Sequence, residues 1–178
     1  MSIDPRAALR TALSPKSIAV IGASDNTNKI GGRPIAYLSR FGFRGKVFPI
    51  NPMRNEVQGF RSFSAFQDLP EIPDVVIIAV PGELAVQSVQ ECAQAGVSLS
   101  IVMSSGFGES HPEGKLQEQK MKASARACGM RIVGPNSQGL ANFGTGAVAS
   151  FSTMFTEVQP KDGPIGIISQ CGAMSVIP

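Results

Sequence analysis

The sequence predicts a doubly wound α/β fold, in which helices cover both faces of a mainly parallel sheet. Short apolar runs alternate with helical segments along most of the 178 residues, as in chains built from strand–helix–strand units with right-handed crossovers. The runs are continuous and rich in β-branched residues, which is typical of strands buried on both faces, and residues 74–80 are the clearest example. Three runs also end in turn-type signals, at the place where open parallel sheets bind their ligands.

Five strands and four helices account for this alternation. The predicted strands are residues 17–21, 46–50, 74–80, 98–103 and 130–133. The predicted helices are a short one that Asp4-Pro5 opens and Ser14-Pro15 stops, followed by residues 33–41, about 83–95 and 113–128. Gly42, Gly96 and Gly129 follow the last three helices, and glycine is a common residue at that position. The segments 51–73 and 141–162 are expected to be irregular.

A further strand is predicted close to the C-terminus. Gly163-Pro164 precedes the apolar residues 165–168, and residues 169–173 have the composition of a strand-to-helix turn. We therefore predict a Rossmann-like domain over residues 1–143 and, over residues 144–178, a linker and the beginning of a second domain. The chain is interpreted as a piece cut from a longer polypeptide.

Composition excludes several functional classes. A net charge of +3 and 6% aromatic residues give little basis for nucleic-acid binding. Cys92, Cys128 and Cys171 lack the spacing of metal ligands and are interpreted as reduced thiols. With neither a secretory signal nor an apolar run of about 20 residues, the chain is expected to be cytoplasmic and not membrane-bound. His111 is predicted to be an exposed loop residue, so neither a catalytic set nor a metal site is predicted.

The loop after the first strand is the best candidate for binding phosphate. Gly22 lets the chain turn sharply, and Gly31 and Gly32 let the backbone approach a ligand where the next helix begins. Unpaired N–H groups and the helix dipole favour an anion there, and Lys29 and Arg33 add positive charge. The alternative is a tight strand-to-helix connection that binds no ligand.

The same loop argues against a simple NAD site. The dinucleotide fingerprint requires G-x-G-x-x-G and an acidic residue after the second strand. Here Gly22 is followed by Ala23-Ser24, and the next glycine is Gly31. Asn51-Pro52 ends the second strand without an acid, and Arg54 follows, which suits a phosphorylated ribose. NADP fits that charge but not the loop spacing. Alternatively, Arg54 is a solvated loop residue and Asn51-Pro52 a plain turn.

Other candidates end the third, fourth and fifth strands. Val80-Pro81 either borders an adenine ring or opens the next helix, because proline fits the first helical turn. Ser104-Ser105-Gly106 offers hydroxyl donors or forms a capping loop. Asn136 binds a ligand amide or, as the spacing favours, makes an Asx-turn. Glu109 is expected to be solvated.

In order along the chain, these motifs resemble the CoA-binding domain of the NDP-forming acyl-CoA synthetases, relatives of the succinyl-CoA synthetase α-subunit and of ADP-forming acetyl-CoA synthetase. The matching stretches are SPKSIAVIGAS (14–24), GKVFPINP (45–52), Val80-Pro81, SGFGE (105–109), GPN (134–136) and ISQCGA (168–173). Each motif is weak, but six in register are specific, and they extend from residue 14 to near the C-terminus.

The resemblance implies CoA as the ligand. By motif position, Ser24, Gly31, Gly32 and Arg54 would hold its nucleotide end. Val80, Pro81, Ser104 and Ser105 would border the part nearer the thiol. The strand at residues 165–168 would begin a second, flavodoxin-like ligase domain.

The family is an acid–thiol ligase that interconverts acyl-CoA, NDP and phosphate with acid, CoA and NTP through a phosphorylated histidine. ATP/ADP or GTP/GDP, Mg²⁺ and a small carboxylic acid would bind with the missing domains or a β-type subunit. Nothing here matches the phosphorylated histidine, so the chain alone is expected to be inactive. Cys171 stands where the family commonly has serine. The rival interpretations are a stand-alone CoA-binding module and an NADP-binding reductase domain.

Overall fold

A parallel sheet of five strands forms the centre of the fold, as described by a computed structural model for residues 5–172. In chain order, the elements are α1 (Pro5–Leu13), β1 (Ser17–Ile21), α2 (Arg33–Arg40), β2 (Lys46–Ile50), β3 (Glu56–Val57), β4 (Phe60–Arg61), β5 (Val75–Ile78), α3 (Gly82–Ala95), β6 (Leu99–Val102), α4 (Pro112–Cys128), β7 (Arg131–Val133), β8 (Gly139–Asn142), β9 (Ala147–Ser150) and α5 (Met154–Glu157). A 3₁₀ turn at Phe66–Asp68 precedes β5. None of these helices is long and apolar enough to cross a bilayer.

The predicted α/β alternation is confirmed. Each predicted strand of the central sheet and each predicted helix is present, with ends that differ by at most two residues. The glycine stops also hold: Gly96 and Gly129 end α3 and α4 in the left-handed conformation, with φ of 89° and 77°. Asp4, the predicted cap of α1, and Ala173, the end of the predicted C-terminal turn, lie outside the described residues.

The strand order places the candidate site. It is β2-β1-β5-β6-β7, so the chain runs from β1 to one neighbour, β2, and then returns to the other, β5. All pairings are parallel, and Ile21 is level with Ile50 of β2 and Ile78 of β5. Ile78 is in turn level with Val102 of β6. The loops that follow these four strands therefore leave the sheet along one edge, and the order reverses at β1, where such folds bind ligands.

Side chains alternate across the sheet and build a core on each face. On one face, the strand residues Ile18, Val20, Ile77 and Ile101 pack with Ile35 and Leu38 of α2. On the other face, Ala19, Val76, Ile78 and Val102 pack with α3 and α4, including Val86, Val89 and Met121. All of these side chains are at most 1% exposed, so the sheet is sealed on both faces, as its continuous apolar strands require.

A small hairpin, β3–β4, interrupts the segment that was predicted to be irregular after β2. Val57 pairs with Phe60, and the turn residues between them, Gln58 and Gly59, both have positive φ, at 50° and 83°. Two positive φ values are characteristic of the tightest hairpin turn, which usually carries Asn-Gly or Asp-Gly. Because Gln-Gly is a weaker signal and each strand has two residues, the sequence did not reveal this hairpin.

A second hairpin and a short helix pack against α2. β8 pairs with β9, and Val148 of β9 and Phe155 of α5 are buried against Tyr37 of α2. The Tyr37 hydroxyl donates a hydrogen bond to the carbonyl oxygen of Ser152 at 2.7 Å, and Arg40 Nη1 donates to that of Phe155, also at 2.7 Å. The boundary predicted between residues 143 and 144 falls in the turn of this hairpin. Residues beyond that boundary, through α5, therefore pack against α2.

The apolar residues 165–168 do not form a strand. Ile165, Ile167 and Ile168 are 82%, 71% and 103% exposed. A strand needs a neighbouring strand for its backbone hydrogen bonds, and no described strand pairs with this segment.

We expect Phe155→Ala to lower the free energy of unfolding by about 3 kcal/mol, because it removes a buried aromatic ring that contacts Tyr37, Phe41 and Phe143. Urea denaturation followed by circular dichroism measures this. Val158→Ala, at a half-exposed position nearby, is the control and should cost less than about 0.5 kcal/mol. Equal losses for the two variants would show that α5 does not pack on the domain.

The three cysteines should differ sharply in reactivity. Burial in the α3–α4 layer, and secondarily the charge of Glu91, raises the pKa of the Cys92 thiol to about 12, whereas Cys128 and Cys171 are exposed. The thiolate is the reactive form. A disulfide reagent at pH 8 should therefore modify Cys128 and Cys171 rapidly and Cys92 only after unfolding. Rapid modification of all three thiols in the native protein would contradict the packing of α3.

Candidate functional site

The candidate site is the edge of the sheet at which β1, β2, β5 and β6 end. Backbone hydrogen bonds join the first residues beyond these strands. The N–H groups of Gly22 and Ala23 both donate to the Ile50 carbonyl at 3.2 Å, and the Ala79 N–H donates to that of Ile21 at 2.9 Å. The Met103 N–H donates to the carbonyl oxygen of Ile78 at 3.0 Å. The four loops therefore start side by side in fixed positions.

The three predicted glycines fold the first loop tightly onto itself. A Cβ atom at Gly22, where φ is +85°, would lie 2.8 Å from the carbonyl oxygen of Ala79. A Cβ at Gly31 would lie 2.0 Å from the oxygen of Gly22, and one at Gly32 would lie 2.1 Å from that of Asn26. These distances are far below van der Waals contact, so no other residue fits without movement of the backbone. The glycines are thus required by contacts within the protein.

Polar backbone groups on this loop remain available to an anion. The described residues contain no hydrogen bond that uses the N–H of Ser24, Asp25 or Gly31. The Ser24 hydroxyl oxygen is oriented by the N–H of Asn26 at 3.1 Å. α2 begins immediately after the loop, and its N-cap, Gly32, provides no side-chain cap. The partial positive charge of this helix end is therefore not neutralised by a capping side chain.

Gln58 holds the loop in place and was not predicted. Its Nε2 donates to the carbonyl oxygens of Ser24 at 2.7 Å and Gly32 at 2.9 Å, and so spans both ends of the loop. Its backbone N–H donates to Asp25 Oδ1 at 3.0 Å. Gln58 lies in the turn of the β3–β4 hairpin. Because the sequence did not predict this hairpin, it could not predict that Gln58 contacts the loop.

Asn51 ties the end of β2 to the same loop. Its Nδ2 donates to the carbonyl oxygen of Ala23 at 2.8 Å, and its Oδ1 accepts from the Met53 N–H at 2.9 Å. Both polar atoms of the side chain are engaged by the protein. These contacts agree with the interpretation of Asn51-Pro52 as a turn.

Two cations stand at the front of the loop. Arg54 Nη1 lies 3.4 Å from Asp25 Oδ2, and the side chain is 62% exposed. Lys29 is exposed on the loop itself. An exposed ion pair such as Arg54–Asp25 contributes little stability, so Arg54 can exchange this partner for a stronger anion.

Arg33 points away from these cations. Its Nη1 donates to the carbonyl oxygen of Phe151 at 3.3 Å, at the end of β9. Its Nε is buried, and no residue among 5–172 accepts a hydrogen bond from it. Although Arg33 opens α2 as the sequence indicated, the β8–β9 hairpin, which the sequence did not reveal, draws its side chain to the other side of the helix.

The residues after β5 and β6 differ in availability. The buried Ser104 hydroxyl donates to the carbonyl oxygen of Val80, so this predicted donor is used within the protein. Ser105 is exposed, and its hydroxyl makes no hydrogen bond within residues 5–172. Pro81 is the exposed N-cap of α3, one position before the first turn in which it was expected. Val80 and Pro81 therefore present an apolar border beside a free hydroxyl.

Asn136 follows β7 and lies beside the loop after β6. It follows the cis peptide Gly134–Pro135 and has a φ of +54°. Its backbone N–H, not its side chain, makes the local bond, to the carbonyl oxygen of Ser104 at 2.9 Å. The Asx-turn that the spacing favoured is not formed, and the side chain is exposed.

Gly106 belongs to a loop that Glu109 closes. The Glu109 carboxylate accepts from the N–H groups of Gly106 at 2.7 Å and Phe107 at 3.2 Å. Although burial alone would raise the pKa of Glu109, hydrogen bonds from backbone N–H groups and the charge of His111 lower it overall. Glu109 is exposed, as expected, but it also organises the loop.

His111 is confirmed as an exposed residue, and it has a structural role. Its Nδ1 accepts from the Gly114 N–H at 2.9 Å, which makes it the N-cap of α4. No group of three or more His, Cys, Asp or Glu side chains within residues 5–172 is arranged to hold a metal ion. The observed role of His111 is therefore to cap α4.

Two surface hollows lie elsewhere on the fold. One surface hollow of about 600 Å³ lies between the 3₁₀ turn and the C-terminal end of α3, and another of about 390 Å³ lies beside β4. None of the residues that line them is a predicted site residue. The candidate site is identified instead by the convergence of the strand ends.

Comparison with known proteins bears on the identity of this edge. The CoA binding domain family matches residues 16–142. The chain is 40% identical over 172 residues to the α subunit of acetate–CoA ligase [ADP-forming] I from Pyrococcus furiosus, a match that covers 94% of the chain and 36% of the relative. It is 38% identical over 166 residues to acetate–CoA ligase [ADP-forming] II from Archaeoglobus fulgidus, covering 92% and 24%.

Solved structures agree. PH0766 from Pyrococcus horikoshii OT3 superposes with a TM-score of 0.85 at 36% identity, covering 94% of this chain and 37% of that one. Acetyl-coenzyme A synthetase 1 from Ca. Korarchaeum cryptofilum, solved with phosphate and ADP, gives a TM-score of 0.82 at 34% identity, covering 94% and 35%.

The chain spans only 24% to 36% of these curated relatives, so it corresponds to one portion of them. The motifs, the strand order and the comparisons agree on that portion. The chain belongs to the CoA binding domain family, as represented in the ADP-forming acyl-CoA synthetases.

Proposed function

We propose that this chain binds CoA along the carboxyl edge of β1, β2, β5 and β6, as the CoA-binding portion of an NDP-forming acyl-CoA synthetase. The observation that carries the proposal is the family match over residues 16–142, because it contains every predicted site residue. The edge has cations at the first loop and an apolar border after β5, which suits a long ligand that is anionic at one end and neutral at the other.

The phosphates of CoA are assigned to the first loop. Ser24 and Asp25 present N–H groups, and Lys29 and Arg54 supply positive charge beside them. Backbone N–H groups near a helix N-terminus and mobile cations are favourable partners for phosphate. Arg54 leaves Asp25 and pairs with the ribose phosphate. Gly22, Gly31 and Gly32 keep the loop in the shape that this requires, held by Asn51 and Gln58.

The pantetheine arm is assigned to the β5–β6 side of the edge. It is a chain of methylene and amide groups, so it needs an apolar border and a few hydrogen bonds. Val80 and Pro81 provide the border, and Ser105 and Asn136 provide exposed polar groups. Ser104 and Gly106 act indirectly, by holding the backbone of Val80 and the loop after β6.

The reaction itself is assigned to the longer protein. Its remaining domains or β-type subunit would carry the phosphorylated histidine, the ATP/ADP or GTP/GDP and Mg²⁺ site, and the acid site. Relatives named as ADP-forming favour ADP as the nucleotide. Relatives named for acetate and 4-hydroxybutyrate differ in their acid, so we propose a small carboxylic acid as the substrate class. This chain alone is expected to bind CoA without turnover.

We further propose that the CoA-binding domain ends after α5 and not at residue 143, because β9 and α5 share the aromatic cluster of α2. Residues 158–172 then connect it to the next domain. The three cysteines are free thiols, which is compatible with the reducing cytoplasm that we propose as the location.

Arg54→Ala is expected to weaken CoA binding by about tenfold, because a charge-assisted contact with phosphate is lost. Isothermal titration with CoA, dephospho-CoA and NADP measures this, and the variant should affect dephospho-CoA much less. Arg44→Ala removes the same charge from the loop before β2, at the other end of the sheet, and should leave binding unchanged. If the wild-type chain binds NADP and not CoA, the proposal is wrong and the reductase interpretation stands.

Gly31→Ala is expected to lower both the melting temperature and the affinity for CoA. Its Cβ would lie 2.0 Å from the Gly22 oxygen, so the loop must open and its N–H groups must separate. Gly163→Ala adds a Cβ where no atom lies within 4 Å and is the matched control. Differential scanning fluorimetry with and without CoA measures both effects. Unchanged CoA affinity in Gly31→Ala would remove the first loop from the site.

A further inference from the structure

Gln138 occupies a fixed position two residues beyond Asn136. Its carbonyl oxygen accepts hydrogen bonds from the Ser150 hydroxyl at 2.7 Å and from the Phe151 N–H at 3.3 Å. Arg33 Nη1 in turn donates to the carbonyl oxygen of Phe151 at 3.3 Å. The backbone at residue 138 is therefore tied to the end of β9 and, through Phe151, to the first turn of α2. A side chain that starts from this point has a defined direction.

The side chain of Gln138 has an unmet hydrogen-bonding requirement. Its Oε1 is buried, and no donor among the described residues reaches it. A buried acceptor without a partner costs about 1–3 kcal/mol, so proteins rarely retain one without a reason. Neither the β8–β9 hairpin nor residues 169–172 donate to this oxygen, so the side chain can meet the turn only through its Nε2 and its carbon atoms.

The Gln138 side chain contacts the turn at residues 169–172, through Gly172. A Cβ atom at Gly172 would lie 2.8 Å from Gln138 Nε2 and 3.0 Å from its Cδ. The backbone of Gly172 is therefore packed directly on the side-chain amide. A larger residue at position 172 would make the Gln138 side chain move, so the two residues are in direct contact.

The segment leading to this turn is otherwise loosely held. At its beginning, Asp162 passes the β8–β9 turn, since a Cβ at Gly144 would lie 2.6 Å from Asp162 Oδ2. Between Asp162 and the turn, Ile165, Ile167 and Ile168 are largely exposed. The segment thus passes close to Gly144 in the β8–β9 turn and close to Gln138, which precedes β8.

We propose that Gln138 is a positioning residue that docks the turn at residues 169–172 onto the carboxyl edge of the sheet, beside the proposed site for the pantetheine arm. The inference rests on the proposed function, because the turn matters to the reaction only if CoA binds at this edge. Asn136, assigned to the pantetheine arm, precedes Gln138 in the same loop, so a turn held by Gln138 lies close to the thiol end of CoA. Gln138 thereby fixes how the following domain meets the bound cofactor.

Disulfide trapping tests the docking directly. Gln138→Cys and Gly172→Cys are combined in a Cys128→Ser, Cys171→Ser background of the full chain. The Sγ atom of Gln138→Cys would stand near the present position of Gln138 Cγ. That position lies 3.1 Å from an ideal Cβ at residue 172, which is close enough for a disulfide. Mild oxidation should therefore form the bond in nearly all molecules, detected by intact mass. Thr145→Cys with Gly172→Cys, at the far end of the hairpin, is the control and should remain reduced.

Hydrogen exchange tests whether the amide itself holds the turn. Gln138→Met preserves the bulk of the side chain without its polar atoms and should speed exchange at residues 169–172 by about fivefold or more. Exchange in β8 and β9 should not change. Gln138→Glu keeps the size of the side chain but replaces the Nε2 that faces Gly172 with an oxygen, so it should not restore the protection, whereas a purely steric role predicts full protection in both variants.

The outcomes separate this inference from the proposed function. Titration with CoA is run on the wild type and on Gln138→Met, and both should bind equally, since Gln138 is not assigned to the CoA site. Failure of the wild type to bind CoA would overturn the proposed function, while the cross-link and exchange results would still decide the docking. CoA binding together with no cross-link, or with equal exchange in wild type and Gln138→Met, would overturn the role of Gln138.

Discussion

The structure depends on a close backbone approach at the end of β1. Gly22 leaves no room beside Ala79, and Gly31 leaves none beside Gly22, so the loop returns across its own starting point. This contact sets the path from β1 into α2, beside the level ends of β1, β2 and β5. Asn51 from one neighbouring loop and Gln58 from another then hold the loop with side-chain amides. The binding edge is preorganised by these few contacts.

A preorganised backbone with mobile cations is well suited to CoA. The N–H groups of the loop are fixed before the ligand arrives, so little conformational freedom is lost on binding. Arg54 and Lys29 are exposed and can adjust to the proposed phosphates, and the only charged side chain that Arg54 pairs with among residues 5–172 is the exposed Asp25. On the β5–β6 side, the structure keeps Ser105 and Asn136 available while Ser104 is used to hold Val80. Rigid and adjustable parts are thus divided between backbone and side chains.

The β8–β9 hairpin connects the proposed CoA edge to residues 158–172. It turns Arg33 away from the loop, builds the aromatic cluster on α2 and carries Gln138 to the C-terminal turn. Together with α5, it packs against α2. The hairpin therefore links the ligand edge with the linker, through hydrogen bonds at Phe151 and Ser152 that join it to α2.

The sequence alone determined the central sheet, its four helices and the order of the motifs along its edge. Continuous β-branched runs and glycine stops are local signals, and burial on both faces makes them strong. Tertiary structure decided the hairpins, because each strand gains its hydrogen bonds from a partner that no local pattern identifies. It also decided which polar groups face the edge: Ser104 and Asn51 are satisfied internally, Arg33 is drawn to Phe151, and Gln58 and Gln138 acquire roles from distant neighbours. Side-chain partners depend on which loops come together, and that is settled only when the chain packs.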